Sequence, residues 1–134
     1  MRSCSDAIKS KILVVDDNSA IRQLLVLRLN ETSYETVEAA TGLQAVEQAR
    51  STRPDLIIMD LGMPAGTGDE AIASLKADPA TRNIPVIVLT AFLHGSILNR
   101  AIAAGAAEIL HKPVNLNSLE LVLQRHLLLL KQSA

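Results

Sequence analysis

Residues 54–64 of the chain are PDLIIMDLGMP, a short apolar run that begins after a proline and continues directly into an aspartate. Apolar side chains on four consecutive positions, 56–59, indicate a strand that is buried on both faces, because a strand with one solvated face would alternate apolar and polar residues. Asp60 follows at the carboxyl end of this strand, and a loop rich in glycine and proline comes next. The stretch therefore predicts a strand of a parallel sheet with an acid at its edge.

Similar runs lie on both sides of this stretch and alternate with segments of helical periodicity. Further strands are predicted at residues 12–15, 34–38, 86–89 and 107–110. Helices are predicted between them, first from apolar spacing at 21–29 and then at about 41–50, 69–77, 97–104 and 115–131. Three sets of residues mark helix ends: Thr41 and Gln44 resemble a capping box, Gly105 ends the fourth helix, and Asn115 caps the last. Five strands alternating with five helices predict an α/β fold, a parallel sheet with helices on both faces.

Length and composition indicate one soluble globular domain. The chain has 134 residues, of which 49% are hydrophobic and 20% charged, and its net charge is −1. We expect tails at residues 1–10 and 132–134 around a domain at 11–131. Lysine and arginine do not cluster, which argues against direct nucleic-acid binding. No apolar run approaches the roughly 20 residues of a membrane span, and the single Cys4 cannot form an internal disulfide, so a cytoplasmic location is expected.

Polar side chains follow four of the predicted strands. In a doubly wound parallel sheet, ligands bind beyond the carboxyl ends of the strands. Residues with carboxylate, hydroxyl or amine groups follow strands one, three, four and five, namely Asp16, Asp17, Asp60, Thr90 and Lys112. Clustered carboxylates favour a cation, and Mg²⁺ prefers oxygen ligands. A carboxylate can also become an aspartyl phosphate, with a lysine neutralising the transferred group.

Each of these residues also has an ordinary structural interpretation. Asp16 or Asp17 alone could cap a helix, Thr90 alone could belong to a turn, and Lys112 alone could be a solvated amine. Their joint placement in this order, each after a strand, argues for a shared site.

The ordered set resembles the receiver domain of two-component response regulators from Lys11 to about Leu130. The matching segments are KILVVDDN at 11–18, PDLIIMDLGMP at 54–64, Gly68, PVIVLTA at 85–91, Gly105–Ala106 and Lys112–Pro113. This resemblance implies a flavodoxin-like doubly wound fold with strand order 2-1-3-4-5. It also implies a donor, the phosphohistidine of a histidine kinase or histidine phosphotransfer protein.

The resemblance further implies a role for each matching residue. Asp60 is the expected phosphoacceptor, and Mg²⁺ is the expected cofactor. The expected metal ligands are Asp17, Asp60 and the backbone carbonyl of Gly62, with Asp16 acting through water, while Thr90 and Lys112 contact the phosphoryl group and the Lys112–Pro113 bond is cis. The chain is then not an enzyme acting on a separate substrate: it catalyses its own phosphotransfer.

Two positions depart from the family pattern. The family usually has an aromatic residue three positions before the conserved lysine, and this chain has Ile109 there. In the family, that ring swings inward when the hydroxyl residue, here Thr90, moves toward the phosphoryl group. Phe92, two positions after Thr90, is the one aromatic near enough in sequence to report such a movement. Neither Gly62 nor Phe92 can orient an attacking water, so we expect slow autodephosphorylation.

The last predicted helix carries more apolar residues than one buried stripe requires. Leu119, Val122, Leu123 and Leu127 form the stripe, and the residues expected to lie largely off it are Leu116, Leu121, Leu128 and Leu129. In the family, the face of the fourth helix, fifth strand and fifth helix is the usual surface for a second copy or an effector. The three histidines, His94, His111 and His126, lack metal-ligand spacing.

Three other classes of protein could carry some of the same residues. A haloacid-dehalogenase-like phosphatase needs an acid two residues after its nucleophile, where this chain has Gly62. A nucleotide-binding domain needs a glycine-rich phosphate motif that the sequence lacks. A pseudo-receiver that works without phosphorylation is the remaining alternative, and it predicts erosion of the acidic set.

Overall fold

The computed structural model describes residues 10–32, 34–61, 68–91 and 96–133. The strands are β1 (Lys11–Val15), β2 (Glu35–Ala39), β3 (Leu56–Asp60), β4 (Val86–Thr90) and β5 (Glu108–His111). The helices are α1 (Ser19–Glu31), α2 (Gly42–Thr52), α3 (Gly68–Ala77), α4 (Ser96–Ala104) and α5 (Leu116–Ser133). The predicted elements are confirmed, although β2 and β5 each begin and end one residue later than the sequence pattern suggested.

The five strands form one parallel sheet in the order β2-β1-β3-β4-β5, which confirms the expected topology. The chain places β2 on one side of β1 and β3 on the other, so the strand order reverses between β1 and β3. Their register pairs Val15 with Met59. The residues that follow these two strands consequently emerge side by side.

Alternating side chains of the strands build two hydrophobic layers. Leu13, Met59 and Val88 face the layer covered by α2, α3 and α4. Ile58 and Leu89 face the opposite layer, covered by α1 and α5. All five residues of β3 are buried, as expected for a central strand covered on both faces.

Local sequence explains where the helices begin and end. The Gln44 N–H donates to Thr41 Oγ1 at 3.1 Å, and the side-chain oxygen of Gln44 accepts from the Ala40 N–H at 2.8 Å, one residue before the position that a standard capping box uses. Asn115 Oδ1 caps α5 by accepting from two backbone N–H groups of the first turn. Gly105 ends α4 with a φ of +118°, a conformation that favours glycine.

The apolar stripe of α5 is wider at its start than predicted. Leu119, Val122, Leu123 and Leu127 are buried, and Leu121 is 66% exposed, as expected. Leu116 is a correction: it packs partly buried against the α1–α5 layer, because it lies three and seven residues before Leu119 and Leu123 and so on the same helix face. The side chains of Leu128 and Leu129 lie outside the described residues. Among the helices described, none is long and apolar enough to cross a membrane.

Candidate functional site

Three aspartates meet at the carboxyl ends of β1 and β3. Asp16 and Asp17 follow β1, Asp60 ends β3, and one carboxylate oxygen of each lies within 4.8 Å of the other two. Asp16 and Asp60 are buried, whereas Asp17 is exposed. This grouping follows from the adjacency of the two strands, and it supplies carboxylate oxygens, the type of ligand that Mg²⁺ prefers in a protein.

Asp16 carries the clearest evidence that the cluster is built for a cation. Its Oδ1 accepts a hydrogen bond from the Asn18 N–H at 2.9 Å, but its Oδ2 is buried and has no hydrogen-bond partner. Burial, aided by the nearby carboxylates of Asp60 and Asp17, raises the pKa of Asp16 above its ordinary value, against the opposing effects of the Asn18 N–H and the Lys112 ammonium. A buried, unsatisfied carboxylate oxygen is costly, and a cation or its bound water would satisfy it.

Lys112 reaches this cluster from the residue after β5. Its Nζ donates to Asp60 Oδ1 at 3.0 Å and lies 3.7 Å from Asp16 Oδ2. Its backbone N–H donates to the Thr90 carbonyl at 2.7 Å, which holds the ends of β4 and β5 together. The Lys112–Pro113 bond is cis, as the resemblance implied. With three carboxylates and one ammonium ionised, the site carries a net charge of −2, which a divalent cation would balance.

Thr90 ends β4 and is fully buried. The register pairs Leu89 with Asp60, so Thr90 stands one position beyond Asp60 on the neighbouring strand. Ile109 is partly buried and packs in the layer of α2, α3 and α4, beside Val88 on the same face. The two remaining expected residues, Gly62 and Phe92, lie outside the described residues.

One residue at the site was missed by the sequence analysis. Arg22 of α1 donates from Nη1 to the backbone carbonyl of Asp16 at 2.7 Å and from Nε to Glu38 Oε1 on β2 at 2.9 Å. Its position six residues after Asp16, on the first turns of a helix, was the available clue. The partner on β2 becomes apparent only once β2 lies beside β1.

An apolar cleft of about 480 Å³ adjoins the same edge of the sheet. Ile21 and Leu24 of α1 contribute to it and are 38% and 56% exposed. The remaining lining residues come from the ends of β4 and β5 and from the chain that follows them, namely Leu89, Ala91, Lys112, Pro113 and Val114. Since Lys112 lines the cleft and also contacts Asp60, the cleft lies beside the aspartate cluster.

Comparison with known proteins identifies the family. A family model described as the response regulator receiver domain matches residues 12–124. The chain therefore belongs to the response regulator receiver domain family.

Two curated relatives and a solved structure agree with this assignment. The chain is similar to the transcriptional regulatory protein PdtaR of Mycobacterium tuberculosis, with 39% identity over 114 residues, covering 84% of this chain and 54% of PdtaR. It is 36% identical over 104 residues to the polar-differentiation response regulator DivK of Brucella anthropi, covering 78% of this chain and 85% of DivK. The receiver domain of the sensor histidine kinase PA1611 from Pseudomonas aeruginosa, solved with magnesium coordinated in its active-site cleft, superposes with a TM-score of 0.83 at 31% identity, covering 90% of this chain and 98% of that domain.

The chain spans about half the length of PdtaR and most of the length of DivK. The family assignment thus covers the receiver domain.

Proposed function

We propose that this chain is a phosphoacceptor signalling domain that takes a phosphoryl group onto Asp60 in a Mg²⁺-dependent reaction. The donor is a phosphohistidine on a sensor kinase or a histidine phosphotransfer protein. The observation that carries this proposal is the net-negative cluster itself, in which Asp60 lies with two further carboxylates and the ammonium of Lys112, and Asp16 holds a buried oxygen without a hydrogen-bond partner.

The chemistry requires one bond to form and one to break. A carboxylate oxygen of Asp60 bonds to phosphorus as the bond from phosphorus to the donor's imidazole nitrogen breaks, and the electron pair of that bond stays with the imidazole. Lys112, 3.0 Å from Asp60 Oδ1, neutralises charge on the transferring phosphoryl oxygens. Thr90, buried at the end of the next strand, donates its hydroxyl hydrogen to a phosphoryl oxygen.

The residues of the cluster fit Mg²⁺. Asp17, Asp60 and the carbonyl of Gly62 would hold it, and the buried oxygen of Asp16 would accept from a bound water. When bound, Mg²⁺ supplies the positive charge that lets several carboxylates and a phosphoryl group share one small volume. The magnesium in the related PA1611 receiver domain supports this assignment by analogy.

The reaction is self-catalysed, and we do not assign an enzymatic activity on a separate substrate. The phosphorylated form decays slowly, because neither Gly62 nor Phe92 offers a polar side chain that could orient water. We propose that the reaction takes place in the cytoplasm.

The donor protein docks over the apolar cleft beside the site. Asp60 is buried, so the phosphohistidine must approach at the open edge of the sheet, where Ile21 and Leu24 are exposed and Pro113 and Val114 line the cleft. An apolar rim next to a charged centre suits a protein partner, because it buries hydrophobic surface while leaving the ionic groups for the transfer.

The phosphorylated state is transmitted through the surface formed by β4–α4 and α4–β5–α5. Ile102 on α4 and Leu121 on α5 are large apolar side chains with more than half of their surface exposed. Phosphorylation would change how this face associates with a second copy of the chain or with an effector. Because Ile109 has no ring to relocate, the movement of Thr90 must be transmitted by packing in the α2–α4 layer.

The pseudo-receiver alternative is not favoured. It predicts loss of acidic residues, whereas Asp16, Asp17 and Asp60 are all present and lie together. A domain that functioned without phosphorylation would gain nothing from keeping this costly group of like charges.

The proposal is tested by incubating the protein with acetyl phosphate, or with beryllofluoride as a phosphoryl mimic, in the presence and absence of Mg²⁺. Mass spectrometry should detect one added phosphoryl group, dependent on Mg²⁺ and lost in Asp60→Asn. Glu47→Gln, an equal change of charge at an exposed residue of α2, is the matched control and should react like the wild type. The proposal would be contradicted if Asp60→Asn were still phosphorylated, or if EDTA did not reduce phosphorylation of the wild type. Light scattering of the same samples tests self-association.

A further inference from the structure

Arg22 links the β1–α1 turn to strand β2. Its guanidinium donates to the backbone carbonyl of Asp16 at 2.7 Å and to the carboxylate of Glu38 at 2.9 Å, and its side chain is only 17% exposed. The planar guanidinium presents several N–H donors in a fixed arrangement, so it can hold two acceptors in a defined relation. Arg22 therefore fixes the backbone of Asp16 relative to β2.

The turn that Arg22 holds carries two of the three clustered acids. Asp16 is further restrained by its N–H, which donates to the Ala39 carbonyl at 3.1 Å, and by its Oδ1, which accepts from the Asn18 N–H. The Arg22 N–H in turn donates to the Asn18 carbonyl at 3.0 Å. The contact to the Asp16 carbonyl differs from the others, because the Arg22 side chain that makes it is also held by Glu38 on β2.

We propose that Arg22, oriented by Glu38, is a positioning residue for the metal site, one that sets the Mg²⁺ affinity by holding the Asp16–Asp17 turn. This inference rests on the proposed Mg²⁺-dependent function. Arg22 does so without contacting the ion: it acts through the Asp16 backbone. Residues that hold metal ligands in place affect Mg²⁺ affinity, because the ligands must already lie in the required octahedral geometry when Mg²⁺ binds.

The sign of the effect separates positioning from plain electrostatics. Arg22 is a cation close to a cation site, so removing its charge should strengthen Mg²⁺ binding if Coulomb repulsion were its only influence. Removing a positioning contact should weaken binding instead. The two explanations thus predict changes in opposite directions for the same substitution.

The experiment measures the dissociation constant of Mg²⁺ by isothermal titration calorimetry and, separately, the free energy of unfolding in EDTA by urea denaturation. The variants are Arg22→Gln, Arg22→Lys and, as the matched control, Arg28→Gln. Arg28 lies on the same helix and also bridges two partners, Glu120 at 2.7 Å and Asn117 at 2.9 Å, but these belong to α5 rather than to the acid-bearing turn. Both glutamine variants remove one positive charge and one interelement ion pair.

We expect Arg22→Gln to weaken Mg²⁺ binding about tenfold, the usual scale for contacts behind metal ligands, and Arg28→Gln to leave it unchanged. Arg22→Lys, which keeps the charge but loses the two-acceptor geometry, should bind with intermediate affinity and serves as the test if Arg22→Gln does not fold. Unchanged or tighter Mg²⁺ binding in folded Arg22 variants would overturn the inference while leaving the proposed function intact. Absence of Mg²⁺ binding by the wild type would overturn both.

Discussion

Replacing Asp16 by asparagine should stabilise the metal-free protein, even though it removes a group that the proposed function requires. Asparagine keeps an oxygen that can accept from the Asn18 N–H, and it removes the charge that Oδ2 carries in a buried position without a hydrogen bond. The net charge of the cluster falls from −2 to −1. The variant therefore lacks an ionised group whose burial lowers the free energy of unfolding.

The distances in the site indicate the size of the effect. With an effective dielectric constant near 20, a unit charge at 3.7 Å, the separation from Lys112, attracts Asp16 by about 4.5 kcal/mol. Repulsion from Asp60 and Asp17, each within 4.8 Å, is about 3.5 kcal/mol or more apiece by the same rule. Solvent screens the exposed Asp17, which reduces its share. Repulsion and burial still exceed attraction, so the gain in unfolding free energy at neutral pH should be about 1–3 kcal/mol.

The pH dependence gives a second measure of the same effect. Because burial raises the pKa of Asp16, the folded protein binds more protons than the unfolded chain between the ordinary aspartate pKa of about 3.9 and the raised value. The contribution of Asp16 to wild-type stability therefore falls as pH rises through this window. Asp16→Asn lacks this decline, so its advantage should grow across the window and reach its full size above the raised pKa.

Both the higher stability of Asp16→Asn and its pH dependence are checked by urea denaturation, which is monitored by circular dichroism. The measurements are made in EDTA and then in excess Mg²⁺. Wild type should gain about 2.7 kcal/mol when Mg²⁺ stands at 100 times its dissociation constant, and the variant should gain less. Glu47→Gln again controls for an unspecific change of charge. Should Asp16→Asn prove less stable than wild type in EDTA at neutral pH, the argument from the unsatisfied oxygen is refuted.

Two further substitutions test the C-terminal end of α4 and the apolar cleft beside the site. Gly105→Ala should lower the unfolding free energy by about 1–3 kcal/mol in urea denaturation, because φ is +118° and the added Cβ would lie 3.1 Å from Lys76 Cγ; an unchanged midpoint would contradict this. Leu24→Gln should slow phosphotransfer from a sensor kinase but leave acetyl phosphate labelling unchanged, since only the protein donor needs the cleft. Leu27→Gln, exposed one turn further along α1, is the control, and equal slowing of both variants would exclude the cleft as the docking surface.

Much of the fold could be predicted because its determinants are local. Consecutive apolar residues at 56–59 indicated a strand covered on both faces, and β3 is buried throughout. Thr41, Gly105 and Asn115 act at helix ends as predicted, through hydrogen bonds or backbone conformations that span a few residues. Leu116 was assigned to the wrong face, although its helical spacing from Leu119 and Leu123 already places it on the buried stripe.

The sequence by itself indicated which polar side chains gather at this edge of the sheet: acids after β1 and at the end of β3, a threonine at the end of β4 and a lysine after β5, since parallel strands end at one edge. Only the tertiary structure decided how they differ. Asp16 and Asp17 are adjacent and chemically identical, yet one is buried with an unsatisfied oxygen and the other is exposed. Asp60 contacts a lysine 52 residues away, and Arg22 depends on Glu38 of another strand. Burial and ion pairing arise from contacts between distant segments, and those exist only once the sheet and α1 have packed.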